Sequence, residues 1–327
     1  MSGPAPYASL DPDTVLAALD SVGLRGDGRM IALNSYENRV YLVYREDEPA
    51  VVAKFYRPGR WSDDQIEEEH AFVRELADDD IPAVAPLAPG GRTLNHHAGF
   101  RFAVYPRRGG RAPELDQSGV LEWIGRFIAR IHAVGAHHRF AHRETADVAT
   151  LGREPRAALL SGGLIPPELE PRWRSLADAA LDMAQTAFER AGRVAQLRLH
   201  GDCHPGNLLW TEAGPHFVDF DDARNGCAVQ DLWMLLAGER SERSAQLARL
   251  LEGYRQVRDF DRAEIALIEP LRTLRLIHYS AWIARRWHDP AFPAAFPWFG
   301  TPRYWQDRIA ELGEQLEAMA EPPLEAV

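Results

Sequence analysis

The sequence predicts an α+β protein of two lobes, a small N-terminal lobe built on a β-sheet and a larger, mainly helical C-terminal lobe. Three observations predict this division. The chain has 327 residues, more than one compact domain usually contains. Strand-like apolar runs are concentrated before residue 108, and helical periodicity dominates after it. A connection rich in Pro, Arg and Gly separates the two regions, so we predict lobes at residues 1–108 and 109–327.

Six elements are predicted in the N-terminal lobe. Apolar residues at helical spacing, ended by a Gly-rich stretch, indicate a first helix. Three apolar runs separated by short polar segments then indicate three antiparallel strands. Acidic residues after Ser62 suit the N-terminus of a second helix, and one more strand leads into the connection. The predicted ranges are 13–24 for the first helix, 30–33, 39–46 and 49–58 for the three strands, 62–76 for the second helix, and 99–110 for the last strand.

The C-terminal lobe is predicted to be mainly helical. Apolar residues recur at helical spacing in LEWIGRFIARIHAV and in several later segments. Two short segments, QLRLHGD and GPHFVDFDD, have the apolar runs of strands instead. The predicted helices cover residues 121–134, 172–192, 231–255, 261–286 and 303–320.

Charge and cysteine content exclude several classes of function. The formal net charge of −11 is the opposite of what binding to a phosphate backbone requires, so we expect no nucleic-acid partner. The two cysteines, Cys203 and Cys227, are too few for a disulfide framework and suit a reducing compartment. Neither a signal sequence nor an apolar run of membrane-spanning length is present. We therefore expect a cytoplasmic protein without a membrane partner. We also expect the protein to be a monomer.

One lysine stands out in the composition. Among 37 Lys and Arg residues, Lys54 is the single lysine, and it ends the run Val51-Val52-Ala53-Lys54 on the third predicted strand. A chain that uses arginine everywhere else is expected to keep lysine where a compact ammonium does what a planar guanidinium cannot. The alternative is that one lysine survived by chance.

The segment HGDCHPGNLLW, residues 200–210, has the spacing of a phosphoryl-transfer loop. Asp202 precedes Asn207 by the interval that separates the base from the metal-binding Asn in the kinase motif H-R-D-x-x-x-x-N. Twelve residues later, Asp219 opens DFDD, which matches D-F-G except that Asp221 replaces the glycine. We predict Asp202 and Asp219 as the catalytic residues. Asn207 and Asp219 offer the oxygen ligands that Mg²⁺ prefers.

The remaining nucleotide-binding residues are predicted in the N-terminal lobe. Lys54 would neutralise the phosphates of ATP, and a carboxylate from Glu67, Glu68 or Glu69 would hold the lysine. We choose Glu69 because it lies on the apolar face of its helix, whereas the other two suit a solvated N-terminal turn. No glycine-rich phosphate loop is present, so the turn containing Ser35 and Tyr36 is expected to cover the phosphates, unless it is a plain hairpin turn.

The order of these parts, with Tyr105 before the Pro/Gly connection as a further nucleotide-binding residue, resembles the aminoglycoside phosphotransferase and choline kinase group of protein-kinase-like folds. HGDCHPGNLLW, FVDFDDARNG, VQDLWMLL and IHYSAWIARRW resemble the bacterial stress response kinase A family more specifically, and the resemblance extends from about residue 10 to residue 320. It implies a cytoplasmic serine/threonine protein kinase of the stress response that uses ATP and Mg²⁺ and phosphorylates Ser or Thr hydroxyls of proteins. It also implies that Asp202 accepts the proton and that Asn207 and Asp219 bind Mg²⁺.

Several alternatives stay open at this point. The same catalytic parts occur in small-molecule kinases, and a pseudokinase is disfavoured only by the intact set of catalytic residues. Asp231 suits a helix N-cap, which we favour, or a buried anchor for catalytic-loop amides. The C-terminal tryptophans suit packing, which we favour, or a wall beside the acceptor site. Cys203 suits a buried packing residue better than a redox sensor.

Overall fold

The structure, a computed structural model, describes residues 6–326. Residues 1–5 of the predicted N-terminal lobe and residue 327 of the predicted C-terminal lobe lie outside the described residues. The described chain forms α-helices at Pro12–Ser21 (α1), Asp63–Asp78 (α2), Val120–Gly135 (α3), Glu154–Gly162 (α4), Glu170–Ala191 (α5), Gln230–Trp233 (α6), Arg240–Tyr254 (α7), Ile268–Arg285 (α8), Ala291–Ala295 (α9) and Pro302–Ala320 (α10). Its β-strands are Met30–Leu33 (β1), Arg39–Arg45 (β2), Glu48–Phe55 (β3), Asn95–His97 (β4), Phe100–Pro106 (β5), Leu197–Leu199 (β6), Leu208–Thr211 (β7), Gly214–Phe217 (β8) and Arg224–Gly226 (β9).

The α+β class is as predicted, and the chain divides into two compact units. The first unit contains the chain through Pro113 together with Ala141–Arg143 and Gly206–Asp221. The second unit contains Glu114–Phe140, Glu144–Pro205 and the chain from Asp222 onward. The lobe boundary between residues 108 and 109 stays a prediction. No helix within the described residues is both long enough and apolar enough to cross a membrane.

The first unit is built on a five-stranded antiparallel sheet in the order β1-β2-β3-β5-β4. The three strands predicted between residues 30 and 58 and the strand predicted at 99–110 are confirmed. Strand β4 was missed because its three polar residues are too few to show alternation. Val15 and Leu19 of α1 pack with Phe55 and Phe102 on one face of the sheet. Successive side chains of a strand point to opposite faces, so Lys54 lies on the other face.

Helix α2 begins where the sequence predicted. The Ser62 hydroxyl accepts the backbone N–H of Gln65, and the Gln65 side chain accepts the backbone N–H of Ser62, which is a capping box. Its buried face contains Ile66, Glu69, His70, Phe72, Val73 and Leu76. Glu69 is therefore directed inward, as the apolar periodicity predicted.

The second unit is mainly helical, and two of its predicted helices differ from the structure. The helix expected at 231–255 is interrupted, since Gly238 has a φ of +86° and the following capping box of Glu239 and Glu242 starts α7 as a new helix. The helix expected at 261–286 begins as a 3₁₀-helix, Arg262–Leu267, before α8 continues it. Helices α4 and α9 were not predicted, because they are short and have no strong periodicity.

Helices α3 and α7 approach each other backbone to backbone through two glycines. A Cβ atom on Gly125 would lie 2.0 Å from the carbonyl oxygen of Leu250. A Cβ atom on Gly253 would lie 1.8 Å from the carbonyl oxygen of Glu122. Both distances are far below van der Waals contact, so this helix pair requires glycine at both positions.

We predict opposite effects for two glycine-to-alanine changes in helices. Gly125→Ala forces α3 and α7 apart and should lower the free energy of unfolding by about 1–3 kcal/mol. Gly313→Ala, in α10 with no atom within 4 Å of an added Cβ, should raise it by about 0.5–1 kcal/mol through helix propensity alone. The midpoint of urea denaturation measures both changes. A Gly125→Ala protein as stable as the Gly313→Ala protein would contradict the close approach.

Candidate active site

Asn207 and Asp219 are placed by the hairpin of β7 and β8. Leu208 pairs with Phe217 in the antiparallel ladder, and the backbone N–H of Val218 donates to the carbonyl oxygen of Asn207 at 3.1 Å. The twelve-residue spacing therefore spans one tight hairpin, and both residues lie at its open end. A local register, rather than distant packing, brings the two proposed metal ligands together.

Asp219 has an unusual backbone for a non-glycine residue. Its φ is +61°, in the left-handed region that costs free energy for an L-amino acid. Its side chain is 54% exposed, although it makes an ion pair with Lys54. This strained turn directs an accessible carboxylate outward at the end of the strand.

Lys54 lies between two carboxylates. Its Nζ atom is 3.0 Å from Oδ1 of Asp219 and 2.8 Å from Oδ1 of Asp221. Burial of the lysine disfavours its charge, but the two carboxylates outweigh this and hold the pKa of Lys54 well above its ordinary value. The single lysine of the chain is thus a buried, charged ammonium in contact with the D-F-G-like aspartate.

Asp221 is a residue of the candidate site that sequence reasoning missed. It is 3% exposed, and besides Lys54 it accepts hydrogen bonds from Arg60 Nη1 at 2.6 Å and from Asn38 Nδ2 at 2.8 Å. The available signal was the carboxylate itself, because Asp221 stands where D-F-G motifs have glycine. A buried carboxylate requires such charged and hydrogen-bonding partners.

The predicted contact between Lys54 and Glu69 requires a correction. Glu69 is buried as expected, but its ion-pair partner is the guanidinium of Arg143 at 3.7 Å. Asp221 supplies the carboxylate that Glu69 was expected to supply. Burial, partly offset by Lys54 and Arg143, raises the pKa of Glu69 to about 7. Glu69 therefore influences Lys54 through its charge rather than through an ion-pair contact.

The other two glutamates of this turn have different surroundings. Glu67 is exposed, as predicted. The prediction that Glu68 is merely solvated was wrong. Its carboxylate accepts the backbone N–H groups of Ala141, His142 and Arg143 at 2.6, 2.9 and 3.1 Å. Glu68 thus joins α2 to the short segment that carries Arg143, the partner of Glu69.

The turn between β1 and β2 is anchored at its second half. Asn38 is 3% exposed, and its Oδ1 atom accepts the backbone N–H of Arg57 at 3.1 Å while its amide donates to Asp221. Ser35 is half-buried, and Tyr36 is 43% exposed. A fixed base with a more accessible tip suits a turn that covers a ligand.

Tyr105 belongs to a buried hydrogen-bond network. Its hydroxyl lies 3.0 Å from the Tyr56 hydroxyl and 3.4 Å from Nε2 of His70. His70 in turn contacts the Thr93 hydroxyl through Nδ1 at 2.9 Å. Burial, with the nearby cations of Lys54 and Arg143, lowers the pKa of His70 to about 3 and keeps the ring neutral. The network fixes Tyr105 against α2.

Asp202, in the second unit, is held by the guanidinium of Arg275 and the imidazole of His204. Arg275 Nη1 lies 2.7 Å from Oδ1 of Asp202, and His204 Nε2 lies 3.4 Å from Oδ2. Burial raises the pKa of Asp202, but the hydrogen bond of His204 and the charge of Arg275 outweigh it and lower the pKa to about 2. The proposed base is ionised over the whole physiological pH range.

Asp231 anchors the catalytic loop, so the favoured N-cap interpretation was wrong. Its carboxylate is 1% exposed and accepts the backbone N–H groups of His200 and Gly201, each at 2.8 Å. Helix α6 begins one residue earlier, so Asp231 lies inside the helix. Gly201 has a φ of +84°, and a Cβ there would lie 2.0 Å from the carbonyl oxygen of Asp222. This crowding explains why glycine stands where the kinase motif has arginine.

Cys203 and the tryptophan cluster mostly follow the packing interpretation. Cys203 is fully buried, and burial together with neighbouring carboxylates raises the pKa of its thiol well above the ordinary value. It is therefore a packing residue and not a reactive thiolate. Trp305 is fully buried against Trp173, with ring centroids 5.9 Å apart. Trp298, in contrast, is 42% exposed.

The donor set fits a divalent cation. The amide oxygen of Asn207 and the accessible carboxylate of Asp219 are hard oxygen ligands, which suit Mg²⁺ rather than a metal that prefers sulfur or nitrogen. These are the two residues that would hold the ion. The first unit thus collects Lys54, Asn207 and Asp219, and the second unit carries Asp202 on its anchored loop.

Comparison with known proteins shows which family the chain belongs to. Residues 30–268 match the model of the phosphotransferase enzyme family. The chain is 48% identical over 319 residues to a protein of Escherichia coli (strain K12) named stress response kinase A, with 98% of this chain and 96% of that protein covered. It is 46% identical, with the same coverage, to a protein of Salmonella typhimurium (strain LT2) named serine/threonine protein kinase RdoA.

A solved structure shares the fold. The amicoumacin kinase hAmiN, in complex with AMP-PNP, Ca²⁺ and Ami, superimposes with a TM-score of 0.71 at 20% identity and covers 91% of this chain and 90% of its own. This likeness confirms the predicted protein-kinase-like fold. Together with the family match and the full-length relatives, it shows that the chain belongs to the phosphotransferase enzyme family and, within it, to the stress response kinase A family.

Proposed function

We propose that the protein is an ATP- and Mg²⁺-dependent serine/threonine protein kinase that acts in the cytoplasm during a bacterial stress response. The observation that carries the proposal is the contact of the single lysine, Lys54, with Asp219. A phosphotransferase needs a cation for the phosphates beside a carboxylate for the metal, and these two side chains are 3.0 Å apart. The names of the relatives in Escherichia coli and Salmonella support the kinase class and the stress response.

The sheet of the first unit offers a surface for the nucleotide base. Leu33 pairs with Val40, and Val40 pairs with Lys54, so these three side chains share one face of the sheet. Ile31 lies two residues before Leu33 on that face, and both are large apolar residues left 51% and 40% exposed. An apolar sheet face that ends in an ammonium suits a flat, apolar base attached to phosphates. Ser35 and Tyr36 extend from the same strand and would cover the phosphates.

The proposed chemistry assigns one task to each side chain. Lys54 neutralises phosphate charge, and Asn207 and Asp219 hold Mg²⁺, which when bound stabilises the negative charge of the triphosphate. Asp202 orients the acceptor hydroxyl and accepts its proton as the new O–P bond forms and ADP leaves. Because Asp231 fixes the amides of the catalytic loop, Asp202 is held without a large reorganisation.

The acceptor is proposed to be a Ser or Thr hydroxyl of a protein. The segment from Gly135 to Pro171 is rich in Arg and His, and the C-terminal segment that contains the tryptophans carries Arg285, Arg286 and His288. Neither segment contributes a compact cluster of carboxylates that would bind a cationic amine. The name of the Salmonella relative supports a protein acceptor. A small-molecule acceptor is the second candidate, because the structural neighbour is an amicoumacin kinase.

The acceptor assignment predicts phosphoprotein formation. Purified protein incubated with γ-labelled ATP and MgCl₂ should label itself or casein on Ser or Thr, as measured by phosphoamino-acid analysis. Asp202→Ala should cut this turnover by about 10²–10⁴-fold through loss of the base. Asp182→Ala, which removes a carboxylate that is 78% exposed on α5, is the matched control and should retain activity. Transfer to choline or an aminoglycoside without phosphoprotein would favour the second candidate.

Metal dependence separates the roles of the two aspartates. Asp219→Ala should lose the Mg²⁺-dependent part of nucleotide binding, because the only carboxylate in the proposed metal-ligand pair is gone. Asp202→Ala should keep it. Titration of a fluorescent ATP analogue with and without MgCl₂ measures both. Equal Mg²⁺ dependence in the two variants would show that Asp219 is not a metal ligand.

Lys54→Arg conserves charge but should still lower kcat/KM by about tenfold or more, because a larger planar guanidinium cannot take the place of an ammonium buried between Asp219 and Asp221. Steady-state assays with varied ATP measure the change. Arg29→Lys, at a side chain that is 72% exposed, is the control for exchanging the two cations and should behave as wild type. An unchanged Lys54→Arg enzyme would mean that the single lysine is an accident of composition.

A further inference from the structure

Arg275 contacts the proposed base, yet the proposed chemistry gives it no task. It lies on α8 with its side chain 41% exposed, and its guanidinium is 2.7 Å from Oδ1 of Asp202. A partly exposed arginine beside a catalytic carboxylate meets any acceptor whose hydroxyl approaches that carboxylate. Arg275 is therefore in a position to recognise the acceptor.

Four residues follow one side of α8 to its C-terminal end, and we name them the α8 stripe: Arg275, Tyr279 and Trp282 lie within the helix, and Arg286 is its C-cap. At about 100° per residue these positions fall within about 60° of one another around the helix. Tyr279 and Trp282 stack with centroids 5.8 Å apart and planes inclined by 17°. The Arg286 guanidinium lies over the Trp282 ring, 5.3 Å from its centroid.

The length of the α8 stripe suits an extended peptide. Arg286 follows Arg275 by eleven positions, which corresponds to about 16 Å along a helix that rises about 1.5 Å per residue. An extended chain covers the same distance with about five residues. A small molecule seated at Asp202 would reach one end of the stripe only. All four side chains are partly exposed, so each retains a surface for contact.

The charge of the α8 stripe suits an acidic partner. Its two ends are arginines, whose planar forks bind carboxylates with two parallel hydrogen bonds. His278 beside the stripe adds no charge, because burial and nearby arginines lower the pKa of His278 to about 3 despite the opposing charge of Asp222.

The stacked pair Tyr279 and Trp282 lies between the arginines and is supported by Phe292 and Phe296, which pack against Trp282 at 5.1 and 5.7 Å between ring centroids. The partly exposed parts of these two rings offer an apolar surface for the peptide.

We infer that the α8 stripe binds the acceptor segment and selects a Ser or Thr flanked by Asp or Glu residues. This inference rests on the proposed protein kinase function. A carboxylate of the acceptor binds Arg275 and competes with Asp202 for it, while a second carboxylate binds Arg286 and the intervening residues lie along Tyr279 and Trp282. Arg275 and Arg286 are thus specificity-determining residues.

The same contact links recognition to the base. Arg275 is one cause of the low pKa of Asp202, so the carboxylate is a poor proton acceptor while the pair is intact. An acidic acceptor that draws Arg275 away leaves Asp202 more basic at the moment its hydroxyl arrives. A neutral acceptor has no group with which to do this.

The test uses the full-length enzyme with three ten-residue peptides that carry one central Ser flanked by Asp, by Gln or by Arg. With wild-type enzyme, we expect kcat/KM for the Asp peptide to exceed that for the Gln peptide by at least about tenfold, the size of a charge-assisted contact. Arg286→Gln should raise KM for the Asp peptide and leave kcat nearly unchanged. Arg275→Gln should reduce the Asp-to-Gln ratio to within about threefold. Arg303→Gln, at a side chain that is 84% exposed on α10, should keep the wild-type ratio.

The outcomes separate this inference from the proposed function. Phosphorylation of all three peptides with equal kcat/KM by the wild-type enzyme would overturn the inference and leave the protein kinase function standing. A wild-type preference that survives in both Arg275→Gln and Arg286→Gln would also overturn it. The wild-type ratio and the Arg286→Gln measurement do not involve the Arg275→Gln variant. They therefore still test the inference if the Arg275→Gln protein folds poorly. Failure to phosphorylate any protein or peptide would overturn both proposals.

Discussion

The ion pairs and hydrogen bonds of the buried Asp221 carboxylate are the interactions on which the proposed nucleotide-binding residues of the first unit depend. The carboxylate holds the ammonium of Lys54 from β3, the guanidinium of Arg60 and the amide of Asn38 at the base of the β1–β2 turn. A buried charge is tolerated only with partners of opposite sign and satisfied hydrogen bonds. Asp221 meets this requirement by joining three separate parts of the chain, and two of them, β3 and the β1–β2 turn, carry a proposed contact to the nucleotide.

Charge balance extends around Asp221. The ion pairs of this region, within the described residues, join four cations to four carboxylates: Lys54, Arg57, Arg60 and Arg143 with Glu37, Glu69, Asp219 and Asp221. Removing one member leaves a buried charge unmatched, which costs more than the pair itself contributes. Binding of a nucleoside triphosphate with its metal ion would add negative and positive charges to these four cations and four carboxylates. Of the two carboxylates that contact Lys54, Asp219 is far more exposed than Asp221. Asp219 is therefore the one able to exchange its contact with Lys54 for a contact with a metal ion.

In the second unit, the buried carboxylate of Asp231 is stabilised by hydrogen bonds. Asp231 accepts two backbone amides of the catalytic loop and lies 3.1 Å from Nε2 of His132. Burial raises the pKa of Asp231, but the hydrogen bonds from His132 and from the backbone of Gly201 help to outweigh it, so the pKa is lowered and the carboxylate stays ionised. The loop can then hold a left-handed glycine and an ionised Asp202 without help from the substrate. Rigid support of this kind is what a catalytic group needs to be in place before the acceptor arrives.

The sequence by itself determined the parts whose geometry is local: the strands β1–β3, the capping box of α2, the inward face that buries Glu69, and the spacing of Asn207 and Asp219 across one hairpin. These follow from periodicity, capping and ladder register, which act over a few residues. Only the tertiary structure decided which charges meet. Lys54 pairs with a residue 165 positions away, Asn38 with one 183 away, and Arg275 reaches Asp202 across 73. Several carboxylates have the same charge, and the sequence does not distinguish them as partners of Lys54. Lys54 pairs with Asp221 rather than with Glu69 because packing buries Asp221 beside it. In the same way, packing places the Asp231 carboxylate beside the amides of His200 and Gly201, which makes Asp231 an anchor rather than a cap.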